Sequence, residues 1–350
     1  MGSRKINHKN CAGEKMIEYL KKVGAGKKRF KDLSEKEAYS VEKLINEGEA
    51  TDIQTGAFWS AERIKYASVE ELKGFLKYHR ENMKAVSTDV KPLDIAINYD
   101  GKDRSVHILP ASIFIGAGAG IYLGGHGAED IPSKRGITYH QVLEKMGAKT
   151  PSSIDTVKET LEKTGFGFVH QRIFAQKLFN LLPKRREFGL RTYHNTMERM
   201  LNPYNTDRVI TGVSHPPYIE KYTELAKYAG MEKVTVFKSL EGGVEPFPNH
   251  ETKVFIDGEE NLIIHPDGIN KELILKKITL EENSRICLSV LEEKNTPYTP
   301  FAVLTAALLI MAYRKTENFE EAKTLAQESL FSGKAYERFK KYCEITEREG

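Results

Sequence analysis

The sequence has little cysteine and no long apolar run. Its three cysteines, Cys11, Cys287 and Cys343, form no C-x-x-C pair, and an odd number of distant thiols argues against a disulfide framework. The longest apolar stretches, 111–125 and 301–313, are shorter than the roughly 18 to 20 residues that a membrane span needs. We therefore expect a soluble protein that has no membrane partner.

An apolar segment of the signal-peptide type is also missing near Met1, so we expect a cytoplasmic location. The formal net charge of +4 is small for 350 residues, but residues 1–31 contain ten Lys or Arg and only two Glu. Residues 1–14 are expected to form a basic N-terminal arm. Such an arm either contacts phosphate groups or is simply a solvated terminus.

Three capping boxes follow one another in the first hundred residues, at 34–37, 51–54 and 68–71. In each of them a Ser or Thr is followed three residues later by Glu or Gln, a pattern that satisfies the free amides at the start of a helix. Apolar residues at helical spacing follow every box. The pattern predicts a small helical domain in this part of the chain.

After Pro92, short apolar runs alternate with helix-like segments, which is typical of an α/β domain with a parallel sheet. The predicted strands are 93–99, 120–125, 165–169, 208–213 and 233–238, with a hairpin or edge pair at 252–257 and 261–265. The predicted helices are 109–119, 138–146, 153–164, 174–182 and 218–228, followed by a helical C-terminal region. We therefore expect an α/β protein of two domains, whose central sheet is mainly parallel and flanked by helices.

Motifs of several common enzyme classes are absent. The ten histidines form no H-E-x-x-H or other tight ligand spacing, and there is no G-x-S-x-G elbow and no Walker loop. These absences argue against a zinc site, an α/β-hydrolase and a P-loop nucleotidase. Gly116-x-Gly118-x-Gly120 resembles a dinucleotide fingerprint only superficially, because it ends a predicted helix; close helix packing explains it better.

Two loops follow predicted strands, where open α/β sheets bind ligands. The first, residues 98–105, offers a glycine turn, amides ahead of a helix, a cation and hydroxyl groups, which together suit a phosphate. An ordinary turn flanked by charges is the alternative. The second, residues 124–130, has three glycines that let a backbone approach a ligand closely. For His126 in this loop, the alternative is a buried structural histidine.

A third feature is the arginine-rich run of residues 184–192. Arginine suits a carboxylate or a phosphate because its planar fork binds two oxygens at once. Taken alone, however, the run is typical of a solvated helix end.

Segments spread along the chain share the pattern of one family. Residues 185–192 (RREFGLRT) with Asn202-Pro203 are similar to the segment R-R-x-L-G-x-R-T…N-P, and residues 49–65 and 319–339 look like helices of the same family. On these segments the chain resembles the anthranilate phosphoribosyltransferase family, in the wider group that includes pyrimidine nucleoside phosphorylases. The likeness extends from about Lys15 to Cys343.

The resemblance implies a protein of two domains that forms a homodimer. A small helical domain, 15–90 plus about 172–204, would carry the dimer interface. A large α/β domain, 91–171 and 205–350, would bind phosphoribosyl pyrophosphate together with Mg²⁺.

The sequence departs from the family at three motifs. The pyrophosphate loop G-T-G-G-D aligns with residues 97–101 (INYDG), and K-H-G-N aligns with residues 125–128 (GHGA). The metal-binding D-E pair aligns with Val244-Glu245, which keeps one carboxylate, and Glu241 is a nearby substitute. These changes make the chain similar to the diverged paralogues of the family that lack the G-T-G-G-D loop.

The roles of the family can be matched onto this sequence residue by residue. The phosphate and ribose contacts fall on Asn98, Asp100, Gly101, Lys102, Ser105, His107, His126 and Gly127. The acceptor contact falls on Arg185, and the metal ligands are Glu245 and Glu241.

Two functions follow from the resemblance. The first is a pentosyltransferase that transfers a ribosyl phosphate to an aromatic or nitrogen acceptor, a reaction of the type found in tryptophan biosynthesis. The altered loops argue against anthranilate itself as the acceptor. The alternative is a non-catalytic, nucleic-acid-binding paralogue that uses the basic arm and the arginine-rich run against phosphates. The chain beyond residue 31 is net acidic, which speaks against that alternative.

Overall fold

The computed structural model describes residues 9–26, 28–97 and 99–348, with side chains described from Gly13 onward. Asn98 and residues 1–8 of the expected basic arm lie outside the described residues.

The described chain alternates helices and short strands. The helices are α1 (Lys9–Val23), α2 (Glu35–Asn46), α3 (Asp52–Lys65), α4 (Val69–Glu81), α5 (Leu109–Gly118), α6 (Tyr139–Met146), α7 (Ile154–Thr164), α8 (Gln171–Phe174), α9 (Gln176–Phe179), α10 (Leu182–Phe188), α11 (His194–Met197), α12 (Tyr218–Tyr228), α13 (Lys271–Ile274), α14 (Leu280–Glu293), α15 (Thr299–Ala312), α16 (Phe319–Phe331) and α17 (Lys334–Glu347). The strands are β1 (Leu93–Ile95), β2 (Leu123–Gly127), β3 (Phe166–His170), β4 (Arg208–Val213), β5 (Lys233–Lys238), β6 (Thr252–Ile256) and β7 (Glu259–Ile264).

The chain divides into two compact units. The helical unit consists of Met1–Met83 and Ala175–Leu201, and the α/β unit consists of Lys84–Phe174 and Asn202–Gly350. The predicted fold class, a small helical domain plus an α/β domain with a mainly parallel sheet, is confirmed.

In the helical unit all three predicted capping boxes are present. In each box the side chain of the capping residue accepts a hydrogen bond from the backbone amide three residues later. The Glu or Gln side chain at that later position accepts a hydrogen bond from the backbone amide of the capping residue. The capping residues are Ser34, Thr51 and Ser68. The helices that begin at these caps bury an aromatic core, in which the ring of Phe75 stacks on that of Tyr193 with centroids 3.8 Å apart. Local capping and aromatic packing thus fix the helices of this unit.

In the α/β unit seven described strands form one sheet, in the order β3-β2-β1-β4-β5-β6-β7. The first five are parallel, and β6 and β7 extend the sheet as antiparallel strands at one edge. β1 is the middle one of the five parallel strands. Its Asp94 is in register with Gly124 of β2 and with Val209 of β4. Helices cover both faces of such a sheet, so its strands read as nearly continuous apolar runs.

The helices α5 and α15 are buried along almost their whole lengths and form the centre of the core of this unit. A Cβ at Gly118 of α5 would lie 2.8 Å from the Ala335 nitrogen of α17. Gly118 therefore serves close helix packing, as predicted, whereas Gly120 has a φ of +85° and no atom within 4 Å of a Cβ built there. None of the described helices is both long and apolar enough to cross a membrane.

Several predicted elements differ from the structure. The predicted strand 120–125 is observed as β2 at Leu123–Gly127, and the edge strand 261–265 as β7 at Glu259–Ile264. β1 ends at Ile95 instead of residue 99, because the chain turns at residues 100–101 and Lys102 then exchanges two backbone hydrogen bonds of 2.8 Å with Ile137. The predicted helix 174–182 is divided among α8, α9 and α10. Pro183 is the second residue of α10, and it has no amide hydrogen with which to continue a preceding helix.

Candidate functional site

The carboxyl ends of the parallel strands carry most of the predicted site residues. Residues 100–107 follow β1, residues 126 and 127 end β2, and residues 241–245 follow β5. Loops from neighbouring parallel strands converge at this edge, which is where open α/β sheets bind ligands.

The turn after β1 places Lys102 in the protein interior. Gly101 has a φ of +70°, and a Cβ there would lie 2.6 Å from the Ile137 oxygen, so glycine is required. The oxygen of the buried Asp100 accepts a hydrogen bond from the Gly136 amide at 2.8 Å. The side chain of Lys102 is only 2% exposed as a result.

Glu245 lies between two basic groups. Its Oε2 is 2.8 Å from Lys102 Nζ, and its Oε1 is 2.9 Å from His107 Nδ1. Burial alone would raise the pKa of Glu245, but Lys102 and His107 outweigh it and lower this pKa to about 2. Burial lowers the pKa of His107, so the neutral ring donates its Nδ1 hydrogen to the carboxylate. The result is a buried ion pair at the end of the sheet.

Asn283 fixes the backbone of His107. Its Oδ1 accepts a hydrogen bond from the His107 amide at 2.8 Å, and its Nδ2 donates one to the His107 oxygen at 2.9 Å. The residue lies on α14, so this helix holds the loop that carries the imidazole against Glu245.

Glu241 fills a cradle made of hydrogen-bond donors. Its carboxylate accepts hydrogen bonds from the amides of Asp103 (3.3 Å) and Arg104 (3.0 Å) and from the Ser105 hydroxyl (2.8 Å). Lys134 Nζ donates a further bond at 2.9 Å. Burial would raise the pKa of Glu241, but Lys134 and Ser105 lower it to about 2. The cradle suits an anion, and a side chain of the protein itself occupies it.

Magnesium is expected at Glu245 and Glu241, yet these two carboxylates do not fit the ion as they are placed. Mg²⁺ takes oxygen ligands at about 2.0–2.1 Å in an octahedral shell. Both oxygens of Glu245 are already in contact with basic groups of the protein, and those of Glu241 accept from four donors. A cation at either carboxylate would also lie beside the ammonium of Lys102 or Lys134, which repels it.

His126 lies in β2 and is fully buried. Its Nε2 is 2.9 Å from Asp94 Oδ1, and its Nδ1 contacts the hydroxyl of Tyr99. Gly127 ends the same strand, in register with His170 of β3. These contacts agree with the alternative interpretation of His126, a buried structural histidine.

Arg185, the residue matched to the acceptor, lies in the helical unit and is only 1% exposed. Its two terminal nitrogens donate to Glu198 at 2.7 and 3.1 Å, which makes a bidentate ion pair. The interpretation of this run as a solvated helix end is therefore wrong for Arg185.

Sequence reasoning missed Lys134, which completes the anion cradle but lies in a segment without a motif. It also missed two groups in which a glutamate meets two histidines. Partners in these groups are between 11 and 152 residues apart along the chain, so no local spacing could reveal them. The groups are Glu129 with His140 and His170 in the α/β unit, and Glu42 with His79 and His194 in the helical unit.

Two protein-family models match the chain. The helical bundle domain of a glycosyl transferase family matches residues 17–83, and the a/b domain of a glycosyl transferase family matches residues 100–336.

Relatives are similar along most of the chain. An uncharacterized protein of Aquifex aeolicus is 33% identical over 306 residues, which cover 86% of this chain and 94% of the relative. The anthranilate phosphoribosyltransferase of the same organism is 30% identical over 348 residues, which cover 96% and 99%.

Solved structures show the same architecture. Anthranilate phosphoribosyltransferase from Thermus thermophilus has a TM-score of 0.80 at 25% identity and covers 94% of this chain and 99% of its own. The Saccharomyces cerevisiae enzyme, solved in complex with PRPP and Mg, has a TM-score of 0.83 at 17% identity and covers 96% and 98%. At this lower identity the likeness shows the fold.

Proposed function

This chain belongs to the glycosyl transferase family of the anthranilate phosphoribosyltransferases, and from that membership we propose that it is a pentosyltransferase. It would bind a phosphorylated ribose such as phosphoribosyl pyrophosphate and transfer the ribosyl phosphate to an aromatic or nitrogen acceptor. A homodimer through the helical unit is part of the proposal, and sedimentation analysis tests it.

The anion cradle around Glu241 is the observation that carries this proposal. Two amides, a hydroxyl and an ammonium converge on one pair of oxygens, an arrangement that binds phosphate as well as carboxylate. Glu241 itself has a φ of +54°, and for a residue other than glycine this conformation costs about 1 kcal/mol.

The proposed reaction places the leaving group in this cradle. The bond between the anomeric carbon and the pyrophosphate oxygen breaks, and pyrophosphate leaves with the electron pair. The acceptor then forms its bond to the anomeric carbon and loses its proton to water. Lys134, Ser105 and the two amides would stabilise the charge that develops on the leaving pyrophosphate.

Magnesium is bound with PRPP in the yeast relative, and Mg²⁺ at Glu245 and Glu241 is the corresponding expectation here. Because the donors around both carboxylates do not fit the ion, the proposed reaction includes no step at a metal. Titrations with and without Mg²⁺ test this point. The internal ion pairs predict the same dissociation constant in both, and a much lower constant with Mg²⁺ would show that a family metal is kept.

Arg185 is the proposed acceptor contact, and an acceptor carboxylate would bind it in place of Glu198. Nucleic acid binding has no observation in its favour among the described residues. The Arg185 guanidinium is buried against Glu198, and Lys184 pairs with Asp52 at 2.7 Å, so neither presents an unpaired charge to a phosphate backbone.

Titration calorimetry with phosphoribosyl pyrophosphate tests the proposal. We expect a dissociation constant below about 1 mM for the wild-type chain, which corresponds to roughly −4 kcal/mol. Glu241→Ala vacates the cradle and should tighten binding by at least about tenfold. Glu251→Ala is the matched control, because this exposed glutamate forms a surface ion pair with His265. It should leave the dissociation constant unchanged.

Ser105→Ala in the Glu241→Ala background provides a second check. It removes one donor of the cradle and should weaken the binding of phosphoribosyl pyrophosphate again. The proposal fails if no binding is measured for any variant, or if Glu241→Ala binds no more tightly than the control.

A further inference from the structure

Three side chains from three different elements converge beside the carboxyl edge of the sheet. Glu129 lies two residues beyond β2, His170 ends β3, and His140 is the second residue of α6. Glu129 Oε2 is 2.7 Å from His170 Nε2 and 3.3 Å from His140 Nε2. One ligand atom from each residue lies within 4.8 Å of the other two.

The donor set is that of a transition-metal site. Two imidazole nitrogens and one carboxylate oxygen suit Zn²⁺ and similar first-row cations, and catalytic zinc sites use such three-residue sets. Bonds of about 2.0–2.1 Å in a tetrahedron place neighbouring ligand atoms about 3.3 Å apart. The distance between Glu129 Oε2 and His140 Nε2 already has this value. The distance between Glu129 Oε2 and His170 Nε2 is 2.7 Å and needs to open by about 0.6 Å.

The group is also accessible from one side. The two histidine side chains are 4% and 3% exposed, whereas that of Glu129 is 39% exposed. The rings are held as well: His140 stacks on Phe168 with centroids 4.9 Å apart. A cation can therefore enter from solvent past the carboxylate and keep an open coordination position there.

We propose that Glu129, His140 and His170 form a binding site for a first-row divalent cation, with Zn²⁺ as the best match. The site shares no residue with the anion cradle, and cation binding there does not require the proposed transferase activity.

The outer contacts of the two imidazoles differ. His140 Nδ1 lies 3.0 Å from Thr138 Oγ1, which can accept the Nδ1 hydrogen while Nε2 binds the cation. His170 Nδ1 accepts the Arg172 amide hydrogen at 3.1 Å, so binding through Nε2 moves the ring proton to Nδ1 and opens this contact. Cation binding should therefore accelerate hydrogen exchange at the Arg172 amide.

Titration of the chelator-treated full chain with Zn²⁺ and with Co²⁺ tests the proposal. We expect one cation per chain, and for Co²⁺ the visible absorption of a four-coordinate site with nitrogen ligands. Glu129→Gln and His140→Gln each remove one ligand and should weaken binding by at least about tenfold. Circular dichroism confirms that both variants are folded.

The control variant is His265→Gln. His265 also faces a glutamate, Glu251 at 3.3 Å, but both side chains are more than half exposed. The neighbouring His250 contacts the backbone oxygen of Glu251, not its carboxylate. This variant should bind like the wild-type chain. Absence of stoichiometric binding to the wild-type chain overturns the proposal. Undiminished binding to folded His140→Gln also overturns it, because the cation would then be held elsewhere.

Discussion

The two Glu–His–His groups have the same composition but opposite surroundings. In the helical unit, Glu42 Oε1 is 2.7 Å from His79 Nε2 and 2.9 Å from His194 Nε2, and all three residues are at most 2% exposed. Glu42 Oε2 accepts a further hydrogen bond from the Tyr193 hydroxyl at 2.5 Å. In the α/β unit, the carboxylate of Glu129 contacts His140 and His170, but the Glu129 side chain is 39% exposed.

The difference shows how surroundings decide what such a group can do. Burial would raise the pKa of Glu42, but His194 and His79 outweigh it and keep this pKa well below its usual value. Both oxygens of Glu42 are engaged by donors of the protein, so the group is a polar element of the core. Glu129 has an exposed carboxylate, and its group therefore suits a ligand from solvent.

The largest expected effect comes from replacing each glutamate by leucine. Glu42→Leu leaves the hydrogens of His79, His194 and Tyr193 buried without their acceptor, and we expect a loss of about 3–5 kcal/mol in the free energy of unfolding. The same change at Glu129 should cost about 1 kcal/mol or less, because water can replace the carboxylate.

Trp59 makes this measurement specific for one unit. It is the only tryptophan of the chain and lies buried in the helical unit, with its ring 5.6 Å from that of His194. Its fluorescence during urea unfolding therefore reports on the Glu42 group. Glu129→Leu is the control and should lower the free energy of unfolding from this transition by no more than about 1 kcal/mol. Equal losses of unfolding free energy in the two variants would contradict the distinction between the buried Glu42 group and the partly exposed Glu129 group.

A third carboxylate sharpens the comparison, because it is buried without histidine donors. Glu62 lies 3.3 Å from Lys65, and burial and the nearby Glu71 raise its pKa from 4.5 to about 8. Lys65 also pairs with Glu71 and with Asp32. The folded state therefore binds the Glu62 proton more tightly than the unfolded state. Its contribution to stability is complete below pH 4.5 and is lost as the pH rises through about 8.

Between pH 6 and pH 9 we expect the free energy of unfolding of the wild-type helical unit to fall by about 1–3 kcal/mol relative to that of Glu62→Gln. The glutamine keeps the shape of the protonated acid but does not titrate. Trp59 fluorescence in urea at several pH values measures the difference. Glu70→Gln, an exposed residue paired with Lys73, is the control and should follow the wild-type curve. A curve for Glu62→Gln that is parallel to the wild-type curve would refute the raised pKa.

Sequence patterns predicted those helices and strands whose defining contacts lie within one segment of the chain. The capping boxes begin α2, α3 and α4 where their residues predict, and β4 and β5 have the predicted bounds. Hydrogen bonds between residues three apart and runs of apolar side chains are contained in the segment itself, so the sequence displays them directly. The family resemblance added the expectation that residues 172–204 join the helical domain.

The chemistry at the carboxyl edge could be predicted only in part. Lys102 and Glu245 are separately visible as a cation after β1 and a carboxylate after β5, but their ion pair exists only once the sheet brings the two loops together. The same holds for Glu241 in its cradle and for both Glu–His–His groups. Contacts of this kind depend on the tertiary fold, and a single sequence contains no local signal for them.

The smallest effect tests the Tyr193 hydroxyl, a further hydrogen-bond donor to Glu42. Tyr193→Phe removes the hydroxyl that donates to Glu42 Oε2, while the ring keeps its stack on Phe75. Glu42 Oε2 then loses a buried hydrogen-bond donor. This loss should lower the free energy of unfolding, measured by Trp59 fluorescence, by about 1–2 kcal/mol. Tyr39→Phe removes an exposed hydroxyl from Glu81 and should cost about 0.5 kcal/mol or less.

The double variant of Glu42→Leu and Tyr193→Phe separates the hydrogen bond from the packing of the ring. If the hydroxyl matters because it satisfies Glu42, Tyr193→Phe should not destabilise the Glu42→Leu background, and it should even stabilise it by removing a buried donor that has lost its acceptor. If the cost of Tyr193→Phe is the same in both backgrounds, the hydroxyl acts independently of Glu42. The hydrogen bonds that hold the Glu42 carboxylate would then be those of His79, His194 and Asn46.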